Sequence, residues 1–308
     1  MDSDVLFVIV GPTAVGKTEV ALRVAEHLGC PIVSADSRQM FRDIPIGTAA
    51  PTGEEQARVK HYFVGQLALE DYYNASQYEK EALQVITELM ASGNGSLVLT
   101  GGSMMYVDAV CNGIDVMPDI EPDVRTALKA QYAAEGLAPL VAELQCLDPE
   151  YAAQCDLQNQ ARVIHALEIC RQTGKPYSSF RTNQRAERPF RIVKIGLDRP
   201  REELFDRINR RVTAMVGQGF CDEARRVLPY RHCNSLNTVG FKEMFRHFDG
   251  DWPLDMALER IRKNTRVYAK KQLTWFRRDE SIRWFHPDNI EHILQYVDAA
   301  LDGRNNNS

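Results

Sequence analysis

Residues 5–18 read VLFVIVGPTAVGKT, an apolar run that leads directly into the phosphate-loop pattern G-x-x-x-x-G-K-[ST]. The run predicts a buried strand, the glycines predict a tight turn, and the residues after them predict the start of a helix. In such a loop the backbone N–H groups point at a bound anion, Lys17 supplies a mobile cation, and the Thr18 hydroxyl can ligate Mg²⁺. We therefore expect a site for a di- or triphosphate. Its residues are Gly11, Pro12, Thr13, Ala14, Val15, Gly16, Lys17 and Thr18.

The first hundred residues alternate strand and helix patterns. We predict strands over 5–10, 31–35 and 96–100, and helices over 17–28 and 76–91. Such alternation is typical of βαβ units, in which helices cover a parallel sheet. The predicted fold class is therefore α/β, a phosphate-loop NTPase-like parallel sheet flanked by helices.

The pattern changes near residue 116, where prolines begin to separate helical segments without a convincing strand. We expect residues 116–188 to form a helical insertion domain, and residues 1–115 and 189–301 to form the catalytic core. Residues 302–308 are expected to be a polar, frayed tail. The helices predicted after residue 116 span 124–135, 137–147, 160–173, 201–216, 221–227 and 254–275, with strands at 191–197 and 281–285.

Composition narrows the class of protein. With 308 residues, 44% hydrophobic and 26% charged, the chain is typical of a globular protein. Only six apolar residues follow the acidic N-terminus, which does not fit a signal peptide, and no stretch approaches membrane-spanning length. Seven scattered cysteines without a C-x-x-C pair are typical of reduced thiols. We expect a cytoplasmic protein without membrane association, and a monomer, since nothing demands a dimer.

Charge is distributed unevenly along the chain. The net charge is −5, yet residues 191–280 carry 20 Lys/Arg against 13 Asp/Glu, a local charge of +7. Within that region, residues 260–278 hold eight basic residues and no acidic one, with aromatic side chains among them. This pattern suits an RNA backbone with splayed bases, although charge runs are also common on solvated helix faces.

Polar side chains and glycines follow the predicted strands. Asp36 ends the second strand, where its carboxylate can act as a general base or a partner of Mg²⁺, or simply cap a turn. Gly101 and Gly102 follow the third strand, where they allow close approach of a ligand or form a plain turn. Because ligands of parallel sheets bind at the carboxyl ends of strands, we expect one shared cleft.

Arginines on a predicted helix offer a second cationic element. Arg207 and Arg211 stand four residues apart and share a helix face, whereas Arg210 lies off it. The pair can clamp a phosphate, or it can belong to a solvated face with partners such as Glu203.

Seven segments together resemble the bacterial tRNA dimethylallyltransferase (tRNA isopentenyltransferase) family. They occur in the family's order over about residues 5–285, and they are 11–18, 34–41, 43–49, 101–106, 207–212, 238–243 and 270–277. The resemblance implies a tRNA prenyltransferase that moves a dimethylallyl group from dimethylallyl diphosphate to N6 of the adenosine 3′ of the anticodon, adenosine-37. It also implies Mg²⁺ as cofactor, and N6-isopentenyladenosine and diphosphate as products.

The resemblance assigns roles to individual residues. The phosphate loop would bind the leaving diphosphate, and Lys17, Thr18-bound Mg²⁺ and Arg211 would neutralise its charge. Asp36 would take a proton from the adenine amine once the base is extruded from its loop stack. The residues expected to bind the tRNA anticodon stem-loop are Asp36, Ser37, Arg38, Gln39, Ser103, Arg162, Gly240, Phe241, Lys242, Arg266, Lys270, Lys271, Trp275 and Arg277.

Two other functions compete with this interpretation. A phosphate-loop small-molecule kinase would bind a nucleotide and transfer phosphate from ATP without RNA. A non-catalytic RNA-binding module would not depend on Asp36. The chain also departs from the family pattern: Ser103 replaces the usual Thr, and Asn237, Ala161 and His165 replace commonly basic residues, so individual tRNA contacts there are expected to differ.

Overall fold

The computed structural model describes residues 4–115, 117–181 and 185–303. The chain divides into two compact units, of which the first joins Met1–Cys111 with Glu187–Ser308 and the second is Asn112–Ala186. Of the polar tail expected at 302–308, residues 304–308 lie outside the described residues. No described helix combines the length and apolar character needed to cross a membrane.

A parallel sheet forms the centre of the first unit, with six strands among the described residues. The strands are β1 (Val5–Val10), β2 (Ile32–Ser34), β3 (His61–Tyr62), β4 (Ser96–Thr100), β5 (Arg191–Leu197) and β6 (Ile282–Phe285). Their order is β3-β2-β4-β1-β5-β6, and every pairing is parallel. All six residues of β1 are buried, as expected for a central strand covered on both faces. The predicted α/β parallel sheet is confirmed.

Helices pack around this sheet and build the second unit. They are α1 (Lys17–Leu28), α2 (Pro45–Thr48), α3 (Gly53–Arg58), α4 (Ala75–Ala91), α5 (Met104–Asn112), α6 (Pro122–Glu135), α7 (Leu137–Leu147), α8 (Pro149–Gln154), α9 (Gln160–Thr173), α10 (Arg201–Gly217), α11 (Phe220–Arg226), α12 (Phe241–Phe248), α13 (Leu254–Phe276) and α14 (Ile290–Leu301). The predicted helices agree with α1, α4, α6, α7, α9, α10, α11 and α13 to within two residues at each end. Helices α2, α3, α8, α12 and α14 and strand β3 were not predicted.

Two apolar cores stabilise the first unit. One surrounds the sheet, and the other is formed by α10 to α13 with the chain after β2. Helix α10 contributes Ile208 to the first core and Val212 to the second, and α13 contributes Ala269 and Ile261 in the same way. These two long helices therefore connect the sheet to the helical part of the unit.

The second unit has a core of its own. Helices α6, α7 and α9 bury Leu128, Leu140 and Leu167 against one another. The carboxylate of Asp148 is buried and accepts hydrogen bonds from the backbone N–H groups of Tyr151 and Ser178 at 3.0 and 2.6 Å. The helical character predicted for this region is thus confirmed.

Candidate active site

The phosphate loop connects β1 to α1 in a shape that requires glycine. Gly11 and Gly16 have φ angles of 152° and 115°, in the region that L side chains rarely adopt. A side chain on Gly11 would also stand 2.6 Å from the carbonyl oxygen of Leu197. Within the described residues no side chain caps α1 at Gly16, so the N–H groups of its first turn remain directed at the loop. An anion can bind there.

The Lys17 ammonium folds back over the loop. It donates hydrogen bonds to the carbonyl oxygens of Gly11 and Pro12 at 3.0 and 2.9 Å. Burial lowers the pKa of Lys17 to about 8, while the Asp36 carboxylate raises it and the Arg211 guanidinium lowers it. A bound diphosphate would compensate this desolvation by supplying negative charge.

Two arginines of α10 form hydrogen bonds with the phosphate loop. Arg207 donates to the carbonyl oxygen of Ala14 at 2.9 Å, and Arg211 donates to the Thr13 hydroxyl at 3.3 Å. Arg210 points away and pairs with Asp206. The prediction that Arg207 and Arg211 share a face, with Arg210 off it, is confirmed.

The arginine pair is not on a solvated face, because both side chains reach the phosphate loop. Glu203, offered as an example of a partner, is bound by Arg199, which also pairs with Asp288 and donates to the carbonyl oxygen of Val15 at 2.8 Å. Glu203, His286 and Asp288 are the one group with metal-ligand geometry among the described residues. Because the Arg199 guanidinium binds both of its carboxylates, we interpret this group as an ion-pair cluster that supports the loop.

Asp36 follows β2 and faces the loop's cations. Its Oδ1 accepts the backbone N–H groups of Arg38 and Gln39 at 3.0 and 3.4 Å, so Asp36 does cap a turn. Its Oδ2 lies on the side of Gly102, 3.4 Å from where a side-chain carbon on that glycine would stand. The negative charge of Asp36 favours the charged form of Lys17 and of Arg211, whose pKa burial lowers. One carboxylate oxygen holds the turn, and the other is directed toward the end of β4.

The ends of β2 and β4 are joined through Ser103. Its hydroxyl accepts the backbone N–H of Ser37 at 2.8 Å and donates to the Ser37 hydroxyl at 3.0 Å. Gly101 lies so close to β2 that a side chain there would stand 2.1 Å from the carbonyl oxygen of Ala35. Gly101 is therefore required by the packing of two backbones, and the ends of β2 and β4 lie in contact with each other.

Two side chains expected to bind RNA make internal hydrogen bonds. Arg38 donates to the carbonyl oxygens of Asn234 and Ser235 at 2.8 and 3.2 Å. Gln39 donates to those of Thr48 and Ala49 at 3.3 and 3.0 Å. Both side chains thus connect the chain after β2 to its neighbouring turns.

The motif before α12 is held from inside the protein. Gly240 has φ 105° and donates its N–H to Glu243 at 2.8 Å. Phe241 is fully buried against Phe220, whereas Lys242 is exposed. Of the three residues of this motif, Lys242 is the one that presents its side chain to solvent.

Helix α13 presents its predicted RNA contacts on different sides. Lys270, Lys271 and Arg277 are exposed, while Arg266 is half-buried and donates to Asn209 at 3.0 Å. Trp275 donates its indole N–H to the carboxylate of Asp108 in α5 at 2.8 Å. Its ring packs against the core around the sheet. Arg266, Lys270 and Arg277 border a cavity of about 750 Å³ between α10 and α13. Its lining includes Arg201, Phe205, Lys263, Arg266, Val267 and Lys270.

Arg162, the remaining predicted RNA contact, belongs to the second unit. It is exposed in the first turn of α9, where its backbone N–H donates to the N-cap Asn159 at 3.3 Å. The side chain is accessible to a partner.

Sequence reasoning missed Gln272, which lies between the two halves of the cleft. Its side chain is buried, with Oε1 accepting the N–H of Thr13 and Nε2 donating to the carbonyl oxygen of Gly102, both at 2.8 Å. Tyr268, one turn earlier, donates to the same Gly102 oxygen at 3.3 Å. A polar residue on the buried face that also carries Ala269 and Phe276 was the available signal.

Glu223 of α11 was missed as well. Its carboxylate is buried and accepts the N–H groups of Ile46 and Gly47 at 2.9 and 2.7 Å. Burial raises the pKa of Glu223, against the effect of these hydrogen bonds. The carboxylate fixes α2, whose Thr48 carbonyl oxygen accepts from Arg211 at 3.4 Å.

The fold and the site together define a class of protein. A phosphate loop on a parallel sheet, with basic side chains reaching it and a carboxylate at the next strand end, is the arrangement of a phosphate-loop α/β protein. Residues 39–279 match the family described as IPP transferase, and the chain belongs to that family.

Relatives agree along nearly the whole chain. The chain is 58% identical to tRNA dimethylallyltransferase 2 of Parabacteroides distasonis over 96% of its own length and 99% of the relative's. It is 43% identical to tRNA dimethylallyltransferase of Cytophaga hutchinsonii, covering 96% and 97%. It resembles the crystal structure of the tRNA isopentenylpyrophosphate transferase from Bacillus halodurans with a TM-score of 0.72 and 33% identity, covering 98% of both chains. The family resemblance found in the sequence is confirmed.

Proposed function

We propose that this chain is a tRNA dimethylallyltransferase. Its substrates are dimethylallyl diphosphate and the tRNA adenosine 3′ of the anticodon, adenosine-37, and its products are N6-isopentenyladenosine and diphosphate. The observation that carries the proposal is that the Lys17 and Arg211 cations hydrogen-bond the phosphate loop, while the Asp36 carboxylate lies at the neighbouring strand end. A base and the cations for a leaving anion stand in one cleft.

The loop holds the leaving group. As the bond between the allylic carbon and the bridging oxygen breaks, its electron pair goes to the diphosphate. Lys17 and Arg211 neutralise the growing charge, together with the N–H groups at the start of α1. Phosphate itself is not transferred. The loop therefore binds the leaving group of a reaction whose electrophile is carbon.

Asp36 acts on the nucleophile. The adenine amine is a weak nucleophile, and its nitrogen gains positive charge as it bonds to the allylic carbon. The Oδ2 side of Asp36 takes one N6 proton, while Oδ1 keeps the carboxylate in place through the backbone of Arg38. Ser103 and Ser37 supply hydroxyl groups beside the base. Extrusion of the base costs little in a single-stranded loop.

Mg²⁺ fits the donors at this loop. Thr18 follows Lys17 in the first turn of α1, and a hydroxyl oxygen together with diphosphate oxygens is a set of hard donors that suits Mg²⁺. When bound there, the ion neutralises negative charge on the diphosphate.

The tRNA anticodon stem-loop is the proposed partner of the exposed basic residues. Lys242, Lys270, Lys271 and Arg277 present cations on the first unit, and Arg162 does so on the second unit, which we propose is an insertion domain that contacts tRNA.

All seven cysteines lie in the described chain and are free thiols. We propose that the protein is cytoplasmic, where thiols stay reduced, and that it is a monomer.

The decisive experiment combines the protein with dimethylallyl diphosphate, Mg²⁺ and unmodified tRNA, without ATP. Mass spectrometry of the digested tRNA should show one isopentenyl group on adenosine-37, and the Asp36→Asn variant should produce it at least about 100-fold more slowly. ATP-dependent phosphorylation of a small molecule, with unmodified tRNA, would instead identify a kinase. Binding of tRNA with no transfer under any condition would leave only an RNA-binding module.

A further inference from the structure

The Gln272 side chain forms hydrogen bonds with both halves of the cleft. Thr13 belongs to the phosphate loop, and its hydroxyl already accepts from Arg211. Gly102 belongs to the end of β4, beside Asp36 and Ser103. The Gln272 amide spans the gap, because its oxygen accepts from Thr13 and its nitrogen donates to Gly102.

The chemistry of the two neighbours fixes the orientation of this amide. The Thr13 N–H is a donor and the Gly102 carbonyl is an acceptor, so only one of the two amide orientations satisfies both. A buried polar group is costly unless it is hydrogen-bonded, and an apolar residue would fill the same space on this face of α13. Gln272 therefore does more than fill volume.

Close packing leaves little freedom around the bridge. A side-chain carbon on Gly102 would stand 2.7 Å from Nε2 of Gln272 and 3.4 Å from Oδ2 of Asp36. Tyr268 shares the Gly102 carbonyl oxygen, and burial raises the pKa of Tyr268 to about 12, so its hydroxyl keeps the proton that it donates. Helix α13 thus sets the position of Gly102 with two side chains.

We propose that Gln272 is a positioning residue that fixes the distance between the phosphate loop, which binds the diphosphate, and the end of β4 beside Asp36, where the adenine amine binds. This inference rests on the proposed function, in which the allylic carbon passes from the diphosphate on the loop to the amine beside Asp36. The amide holds the two substrates at the separation that this step requires. It acts through Thr13 and Gly102 and touches neither reacting atom.

The test replaces Gln272 with methionine, which has a similar volume and no hydrogen-bonding group. Single-turnover and steady-state transfer are measured with dimethylallyl diphosphate and unmodified tRNA. We expect kcat to fall by about 10- to 100-fold, because a misplacement of about 1 Å has that effect on a positioned reaction. KM for both substrates should stay within about threefold, because the groups that bind them are unchanged.

Asn264 provides the matched control on the same helix. It donates to the buried Glu243 at 2.7 Å, so Asn264→Leu also removes a side-chain hydrogen bond from α13. Both variants should have a lower midpoint of thermal unfolding, but only Gln272→Met should have a lower kcat. If kcat per folded molecule is the same in both variants, Gln272 is structural and the inference is overturned.

A second variant keeps the test decisive. If Gln272→Met does not fold, Gln272→Glu retains the acceptor for Thr13 and loses the donor to Gly102. The same fall in kcat is expected, with a higher KM for dimethylallyl diphosphate because the added carboxylate repels the diphosphate. An unchanged kcat overturns the inference. A wild-type protein that transfers no dimethylallyl group would overturn the proposed function instead, so the two failures are distinguishable.

Discussion

Replacing Lys17 with methionine should remove a pH dependence of stability that the wild-type protein owes to this one ammonium group. Burial lowers the pKa of Lys17 from 10.5 to about 8. Between these two values the unfolded chain binds more protons than the folded one, so the free energy of unfolding rises as the pH increases. Below pH 8 both states hold the proton, and the folded state carries the full cost of the buried charge.

The magnitude follows from the shift. One pKa unit corresponds to about 1.4 kcal/mol, so linkage for this one group, with a pKa of about 8 in the folded state and 10.5 in the unfolded state, gives a gain of about 2 kcal/mol between pH 7.5 and 9.5. The substitution also removes the hydrogen bonds to Gly11 and Pro12, which changes stability at every pH. The informative quantity is therefore the difference between wild type and Lys17→Met, compared at the two pH values.

Urea unfolding at pH 7.5 and pH 9.5, without substrate, measures this difference. The stability of wild type relative to Lys17→Met should increase by about 2 kcal/mol over the interval. Lys17→Arg is the control, because guanidinium stays charged throughout and should lack the increase, as methionine does. A constant difference between wild type and Lys17→Met would refute the reasoning that Lys17 is desolvated at the loop.

Three further substitutions test the site. Asp36→Asn should keep tRNA and diphosphate binding near wild type and lower the single-turnover rate by at least about 100-fold, because the base is lost; normal turnover would exclude Asp36 as the base. Arg211→Lys should lower kcat by about 10-fold or more, since an ammonium does not reproduce the forked contacts to Thr13 and Thr48; steady-state kinetics decide this, and unchanged kcat contradicts it. Gly101→Ala should reduce the free energy of unfolding by about 1–3 kcal/mol or more, because the added carbon would stand 2.1 Å from the carbonyl oxygen of Ala35, directly after β2; wild-type stability in urea would show that the two backbones can separate at no cost.

The parts of the fold that the sequence predicts are those with strong local patterns. The apolar run of β1 and the glycines of the loop agree with the structure, because a buried central strand and positive φ angles constrain residue type directly. Strand β3 has two residues and α2 has four, too few for a periodic pattern, and they depend on tertiary partners.

The site is predictable only where a motif carries it. Lys17, Asp36 and Arg211 follow from the phosphate loop, a strand end and helical spacing. Gln272 and Glu223 contact residues 259 and 177 positions away, and periodicity cannot show such pairings. Their polarity on buried helix faces was visible, but their partners were not.

The pairing of β1 with β5 has a consequence for biosynthesis. The first strand of the chain lies between β4 and β5, and β5 follows the whole second unit in sequence. The phosphate loop rests on residues of that late segment, since Gly11 packs on Leu197 and Arg199 holds Val15. A nascent chain therefore emerges from the ribosome with its anion-binding loop made early but unsupported, and the loop acquires its final shape only after β5 has been translated.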